Sequence, residues 1–129
     1  MKAWKNLERE VAKHFGGIRR IRISYSEKAG DIIHPKYSIE CKYGKCIPKY
    51  LRYAQPTRLI VGRKSYIVVP STLENYVMSI FIPEVVKKSV VFLANAIAQA
   101  KRYNPTLMPL VCVKYKNQRG FNICYEVKT

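Results

Sequence analysis

The chain has 129 residues, of which 48% are apolar; this composition fits a single globular domain over residues 1–129 and excludes an intrinsically disordered chain. No apolar run approaches the ~18 residues that cross a bilayer, and residues 1–5 lack the apolar core of a signal peptide. We therefore expect an intracellular protein with no membrane partner.

The net charge is the strongest global feature of the sequence. Twenty-four Lys and Arg residues against eight Asp and Glu residues leave a charge of +16. This is far more than solubility requires, and such a field attracts polyanions, among which nucleic acid is the commonest in cells. A generally basic composition, a ribosome-bound structural role and an anionic membrane surface are the alternatives. We expect nucleic acid to be the partner.

The N-terminal third predicts one helix followed by an antiparallel meander. Apolar residues recur at helical spacing and are followed by two glycines, which commonly end helices: Trp4, Leu7, Val11 and Phe15, then Gly16 and Gly17. Alternating or apolar patterns then predict three strands, over residues 18–25, 31–33 and 37–43.

Two glutamates of this first helix point in different directions. With ~100° per residue, Glu8 lies at the edge of the apolar face, whereas Glu10 lies beyond the opposite edge and nearer to solvent. A carboxylate at the core face is costly unless a cation meets it. We therefore expect Glu8 to meet a metal or Lys42; a pair with a structural Arg or Lys is the alternative.

The rest of the chain predicts further strands and two helices. They are short strands over 59–61 and 66–69, a helix over 71–80, a long helix over 84–103, and closing strands over 110–115 and 121–127. Ser71 and Glu74 are spaced as a capping box for the first of these helices, and Asn104 with Pro105 ends the second. The pattern predicts an α/β fold with a mixed central sheet flanked by helices.

Asp31, the only aspartate of the chain, and the short motif formed by Glu40 and Lys42 carry the chemistry. Alternation along the strand over 37–43 places Glu40 and Lys42 on one face, with Ile39 and Cys41 in the core. A short hairpin would bring Asp31 beside Glu40, so that two carboxylates and one amine share a small volume.

Such a trio suits the hydrolysis of a phosphodiester bond. Two carboxylates can hold Mg²⁺, for which Mn²⁺ can substitute, and the metal polarises the phosphate and lowers the pKa of a bound water. The amine can orient that water or offset developing charge. An ordinary surface pair of Glu and Lys is the alternative, because Glu-x-Lys is a common pattern. No small-molecule cofactor is expected.

Residues 4–12, the double glycine, Gly30 with Asp31, and residues 38–42 together resemble the PD-(D/E)XK nuclease superfamily, and within it the archaeal-type Holliday-junction resolvases and small phage or viral nucleases. Those proteins carry a helical Glu-Arg pair, an aspartate and a Glu-x-Lys strand in this order. The resemblance implies a restriction-endonuclease-like fold. It also implies an active site of Glu8, Asp31, Glu40 and Lys42, in which the three carboxylates bind the metal.

The resemblance does not cover the whole chain. Gly30 stands where the family has a proline, and the likeness is weaker over residues 96–113. Residues 47–83 match no part of the family, and we interpret them as a family-specific insertion that sets substrate choice.

Contacts with DNA are expected from basic residues around the proposed centre. They are Arg9, which the resemblance implies, and Lys13, Arg19, Arg20, Arg22, Lys45, Lys49 and Arg52. Cations there can meet phosphates, and Tyr50 and Tyr53 could stack on unpaired bases. For each tyrosine a partly buried position at the edge of the core is the alternative.

The function that the resemblance implies is Mg²⁺-dependent endonucleolytic cleavage of branched DNA, a Holliday junction above all, by a homodimer. The same resemblance is compatible with a protein that is encoded by a virus or phage and acts inside the host cell. The alternatives are a nicking endonuclease or exonuclease of the same superfamily, and a non-catalytic basic DNA-binding protein.

The four cysteines, Cys41, Cys46, Cys112 and Cys124, form no CxxC pair. Zinc sites usually have tighter ligand pairs, so free buried thiols are the favoured interpretation. A disulfide between Cys112 and Cys124 is an alternative if their strands pair, although it would be unusual in most cytosols.

Overall fold

The computed structural model describes residues 3–19, 32–72 and 82–127. Its helices are α1 (Ala3–Phe15) and α2 (Val91–Tyr103), with a short 3-10 helix at Lys49–Leu51. Its strands are β1 (Ile18–Arg19), β2 (Ile32–Ile33), β3 (Tyr37–Gly44), β4 (Thr57–Val61), β5 (Lys64–Pro70), β6 (Glu84–Val86), β7 (Met108–Tyr115) and β8 (Asn122–Val127).

The strands of the described residues form one mixed sheet in the order β1-β2-β3-β7-β8-β5-β4-β6. Strands β1, β2 and β3 form the predicted antiparallel meander, and β7 lies parallel to β3 over its whole length. Helix α2 packs against both of these strands and precedes β7 in the chain. The prediction of an α/β fold with a mixed sheet flanked by helices is confirmed.

Helix α1 covers one face of the sheet. Its buried residues Leu7, Val11 and Ala12 pack with apolar residues of the sheet, among them Ile39. The helix ends as the double glycine predicts: Gly16 adopts a positive φ of 72°, and the Gly17 N–H donates to the Ala12 carbonyl at 2.8 Å. Only glycine takes this left-handed conformation without a steric penalty.

Helix α2 covers the opposite face, and the sequence prediction of its start is wrong. The helix begins at Val91, because residues Glu84–Val86 form strand β6, parallel to β4. Ile60 accepts a hydrogen bond from the Lys87 N–H at 2.8 Å, which extends the pairing beyond the strand. The β-branched Val85 and Val86 favour an extended backbone. Because they pair with strand β4, they form a strand although their spacing is helical. The predicted end at Asn104 is correct.

The two faces of the sheet carry separate apolar cores. Along β7, Cys112 belongs to the core under α1, and Val111 and Val113 belong to the core under α2. Cys124 pairs with Val111 across the β7–β8 ladder and packs in the α2 core. The two buried thiols therefore lie on opposite faces and are not bonded, and burial raises the pKa of both.

The described part of residues 47–83 extends the same sheet. The two predicted strands in it are confirmed as β4 and β5, and β5 joins the sheet through antiparallel pairing with β8. The predicted helix over 71–80 lies outside the described residues except at its first two positions, which form a turn. There the Ser71 hydroxyl accepts a hydrogen bond from the Phe121 N–H at 3.0 Å.

Within the described residues, neither helix has the length and apolar character that crossing a lipid bilayer requires.

Candidate active site

Strand β3 carries Glu40 and Lys42 on the face that α2 covers. Glu40 pairs in register with Val111, and Lys42 pairs with Val113; both valines belong to the α2 core. The intervening Cys41 faces the other core, under α1. The predicted alternation along this strand is therefore correct, and it places the carboxylate and the amine side by side.

Glu40 is a buried carboxylate next to a partly exposed amine. Its side chain is 6% exposed, whereas that of Lys42 is 32% exposed, and Lys42 Nζ lies 3.5 Å from Glu40 Oε1. Removing a carboxylate from water costs several kcal/mol unless a cation compensates. The ammonium group supplies part of that compensation and remains accessible to a ligand approaching from solvent.

Gln99 of helix α2 fixes the position of the Lys42 amine. Its Oε1 accepts a hydrogen bond from Lys42 Nζ at 3.1 Å, and its Nε2 donates to the Tyr103 hydroxyl one turn further along the helix. Neither Gln99 nor Tyr103 has a role predicted from the sequence. The signal that could have found them is a glutamine and a tyrosine four residues apart on one helix face.

A second contact holds α2 against β3 on the same face. The Ser38 hydroxyl donates to the Ala100 carbonyl at 2.6 Å, in a buried position. Ser38 and Lys42 lie on either side of Glu40 along the strand, so helix and strand are joined on both sides of the buried carboxylate. The site is therefore built on two packed secondary-structure elements, which position side chains more accurately than loops do.

Asp31, the second predicted carboxylate, lies outside the described residues. The adjacent register is defined: Ile32, which follows Asp31 in the chain, pairs with Ile39, which precedes Glu40. This is the strand pairing on which the expectation for Asp31 depends. Its position beside Glu40 stays a prediction.

Glu8 is buried in α1, as its helical position predicts. It is 8% exposed, whereas the Glu10 side chain is 38% exposed and its Oε1 pairs with Lys114 Nζ at 3.1 Å. Because α1 packs on the face of β3 opposite to Glu40, the assignment of Glu8 to the same centre stays a prediction. The predicted difference in exposure between the two glutamates is confirmed.

The predicted DNA-binding residues fall into two described groups. Arg9 and Lys13 are exposed on α1, and Arg9 Nη1 lies 3.4 Å from Asn6 Oδ1. Lys45 and Lys49 are exposed just after the carboxyl end of β3. Of the remaining predicted residues, Arg20 and Arg22 lie outside the described residues, and Arg19 is described by its backbone alone.

Arg52, also predicted to bind DNA, has a structural role as well. Its guanidinium donates to the Ile47 carbonyl through Nε at 2.8 Å and Nη2 at 2.6 Å. The same group lies 3.7 Å from the ring centre of Tyr115. Arg52 thus fixes the loop after β3, and the plane of its guanidinium group is held in one orientation.

The donor set near Glu40 fits a hard divalent cation in part. A buried carboxylate is a ligand that Mg²⁺ prefers, and the described residues contribute Glu40 to such a set. They contain no group of three or more His, Cys, Asp and Glu side chains suited to a metal ion. Because Asp31 lies outside them, the complete donor set stays a prediction.

No family model matches the chain, and comparison with curated proteins and with solved structures also gave no match.

Proposed function

We propose that the chain is a metal-dependent DNA endonuclease of the PD-(D/E)XK type, which hydrolyses phosphodiester bonds by attack of water in a single step. The observation that carries the proposal is the buried carboxylate of Glu40 beside the Lys42 amine, with Gln99 holding that amine. A strand that only needed stability would gain more from an apolar residue at position 40, because a buried charge is costly.

Each residue of the proposed centre has a chemical role. Glu40 would contribute a carboxylate oxygen to a Mg²⁺ or Mn²⁺ site, which Asp31 and Glu8 would complete. The metal, when bound, supplies a polarised phosphate and a more acidic water. Lys42, oriented by Gln99, offsets negative charge that develops on the phosphate oxygens in the transition state.

The fold supports the family assignment because it brings the two stretches of the chain that resemble the family next to each other. The two stretches that carry the resemblance, residues 4–45 and 96–113, are far apart in the sequence. They nevertheless adjoin in space, because β3 pairs with β7 along its whole length and α2 lies against both strands. Within residues 47–83, strands β4 and β5 join the sheet on the other side of β8. An insertion located there leaves the proposed centre intact.

The charge supports DNA as the substrate. A net charge of +16 favours binding to phosphates, and such binding is strongly weakened by salt because it releases counterions. By the resemblance to resolvases, we propose a four-way junction as the preferred substrate. We also propose that a homodimer places two centres across the branch.

The test is to incubate the protein with Mg²⁺ and three end-labelled DNAs of equal length: a four-way junction, a linear duplex and a single strand. Symmetrical cuts near the branch point of the junction, with little cutting of the duplex, are expected. Single cuts in the duplex would favour a nicking enzyme, and progressive shortening from an end would favour an exonuclease.

Metal substitution separates an enzyme from a non-catalytic DNA-binding protein. We expect cutting with Mg²⁺ or Mn²⁺, binding without turnover in Ca²⁺, and no cutting after treatment with EDTA. Undiminished cutting in EDTA would contradict the metal mechanism. Salt-dependent binding to all three DNAs, with no cutting in any metal, would favour the non-catalytic alternative.

A further inference from the structure

A pocket lies beyond the carboxyl ends of β3 and β7. It measures about 360 Å³ and is lined by residues from three segments of the chain: the loop after β3, the end of β5 and the β7–β8 turn. Its charged lining residues are Arg52, Lys116 and Arg119; the described lining includes no carboxylate. The pocket therefore favours an anionic ligand.

One wall of the pocket is a fixed guanidinium plane. Arg52 is held by its two hydrogen bonds to the Ile47 carbonyl, and it stacks on the Tyr115 ring at 3.7 Å. An immobilised guanidinium is a surface on which a nucleic-acid base can stack. Because the hydrogen bonds are already made, little conformational freedom is lost when a ligand binds.

Two amide side chains, of which Asn122 is buried, hold the pocket in shape. Asn122, which is fully buried, donates through Nδ2 to the carbonyls of Leu51 at 2.7 Å and Tyr53 at 3.1 Å. Gln118 donates to Asn122 Oδ1 at 3.0 Å and accepts from the Tyr115 N–H at 3.0 Å. The loop after β3 and the β7–β8 turn are thus joined by a continuous set of hydrogen bonds, and the pocket is preformed.

The size and the chemistry of the pocket select the ligand class. A volume of about 360 Å³ lies at the small end of the ~300–1,000 Å³ range of small-molecule sites and is far larger than a single phosphate group needs. Apolar surface from Ala54 and Pro70 lies beside the cations. A flat base attached to a phosphate matches this combination better than a phosphate alone.

The pocket also lies on the same side of the sheet as Glu40. Tyr115 follows Val111, the register partner of Glu40, by four residues along β7, which is about 13 Å at ~3.3 Å per residue. The side chains of Val111 and Tyr115 both pack on the face that α2 covers. A stacked strand advances ~3.4 Å per nucleotide, so the pocket lies about four nucleotides from a phosphate placed at Glu40.

We propose that this pocket binds one unpaired nucleotide of a DNA strand, with the base on the Arg52 plane and its phosphate against Lys116 and Arg119. The proposal rests on the proposed function in taking DNA as the partner. It adds a feature of the bound substrate: one nucleotide of the cut strand, about four nucleotides from the cut, is unpaired in the complex.

The experiment measures binding in EDTA, so that cutting plays no part. Fluorescence anisotropy compares a fully paired duplex with the same duplex carrying a single-stranded tail. Arg119→Ala removes an exposed pocket cation, and Arg52→Lys keeps the charge but removes the plane. Arg63→Ala is the matched control, because Arg63 is exposed in the β4–β5 turn, at the opposite end of β5 from Pro70.

We expect Arg52→Lys to weaken binding of the tailed DNA by about tenfold, the scale of one stacked base. Arg119→Ala should weaken it by about tenfold as well, through the loss of a charge-assisted contact with the phosphate. Neither variant should weaken binding of the duplex by more than about threefold. Arg63→Ala should weaken both DNAs equally and slightly. Equal losses on the two DNAs in the pocket variants, or no loss at all, would overturn the proposal.

A cross-linking experiment tests the location and does not depend on the stability of any variant. A tail that contains 5-iodouracil is bound to the wild-type protein and irradiated, and the linked peptides are identified by mass spectrometry. Links to Tyr53 or to residues 116–119 are expected, because the Arg52 plane covers the Tyr115 ring; links only to residues outside the pocket would overturn the assignment. Tighter binding of a tail made of RNA would overturn the choice of DNA. Pocket links in a protein that never cuts DNA would refute the nuclease and leave the pocket standing.

Discussion

The amine of Lys42 donates a hydrogen bond to the side-chain carbonyl of Gln99 at 3.1 Å, and this bond ties strand β3 to helix α2. The position of the amine therefore depends on a residue of another element, and through it on Tyr103. Without this acceptor the flexible lysine side chain would populate several rotamers, and its distance to Glu40 would vary.

Replacing Gln99 by Ala should slow cleavage by at least about tenfold, which corresponds to ~1.4 kcal/mol of barrier, with little change in KM. The reason is that displacement of a charged group by about 1 Å weakens its action on the transition state. Single-turnover rates on a labelled junction with Mg²⁺ measure the effect. Asn95→Ala, an exposed change in the same helix, is the control. Equal rates in the two variants would show that Gln99 does not position the amine.

Replacing Glu40 by Gln, or Lys42 by Ala, should remove cleavage and leave DNA affinity close to that of the wild type. Affinity comes mainly from phosphate contacts with the basic surface, whereas these two groups act on the reacting phosphate. Anisotropy in EDTA measures binding, and gel assays with Mg²⁺ measure cleavage. Near wild-type cutting by both variants would contradict the assigned centre.

Glu40→Gln should also leave the protein no less stable than the wild type. The amide matches the shape of the carboxylate and removes a buried charge whose desolvation is costly. Lys42, which loses its ion pair, is partly exposed and stays hydrated. Thermal unfolding followed by circular dichroism measures the midpoint. A clearly lower midpoint for this variant would mean that Glu40 is chiefly a structural partner of its surroundings.

The two glutamates of α1 should differ in their effect on cleavage. Glu8→Gln should reduce the rate by at least about tenfold, and Glu10→Gln should stay within a factor of about three. The reason is that Glu8 is 8% exposed and is assigned to the metal only by the proposed function, whereas Glu10 pairs with Lys114 near the surface. The reverse ranking in the single-turnover assay would assign the catalytic role to Glu10.

The buried thiols predict a loss of stability in alkaline solution. Burial raises the pKa of Cys112 and of Cys124 above their ordinary value of 9.0, so above that pH the unfolded chain loses protons that the folded chain keeps. Stability is therefore fully present below about pH 9 and falls as the pH rises further, by up to ~1.4 kcal/mol per pH unit for each thiol. Urea unfolding at several pH values measures this slope.

Cys124→Ala is the variant that tests the thiol contribution. It should be less stable than the wild type at neutral pH, because it removes a buried sulfur, and its stability should fall less steeply above pH 9. A slope identical to that of the wild type would show that this thiol ionises alike in the folded and unfolded states.

Local patterns were sufficient to predict most of the elements. The alternation along β3 and the helical spacing of Leu7 and Val11 depend on neighbours within one element, and the structure agrees with both. The start of α2 was predicted wrongly, because Val85 and Val86 belong to a strand whose partner, β4, lies elsewhere in the sequence. A helical period in apolar residues cannot distinguish these cases without knowledge of that partner.

In the site, too, contacts within one element could be predicted from the sequence, and contacts between distant elements could not. Glu40 and Lys42 were predicted as neighbours because they are two residues apart on one strand, and their contact at 3.5 Å agrees. Gln99 had no predicted role, because its contact with Lys42 spans 57 positions of the chain and depends on how α2 packs. The structural role of Arg52 was missed for a similar reason: its stacking partner Tyr115 belongs to a distant strand.

The parallel pairing of β3 with β7 has a consequence for the order of folding. Tyr37 pairs with Met108, and closing so long a loop is an entropic barrier that slows the formation of such contacts. During synthesis the segment that contains Glu40 and Lys42 leaves the ribosome well before α2 and β7. A nascent chain therefore carries the carboxylate and the amine before Gln99 exists to orient them. Cleavage activity should therefore require that α2 and β7 have packed against β3.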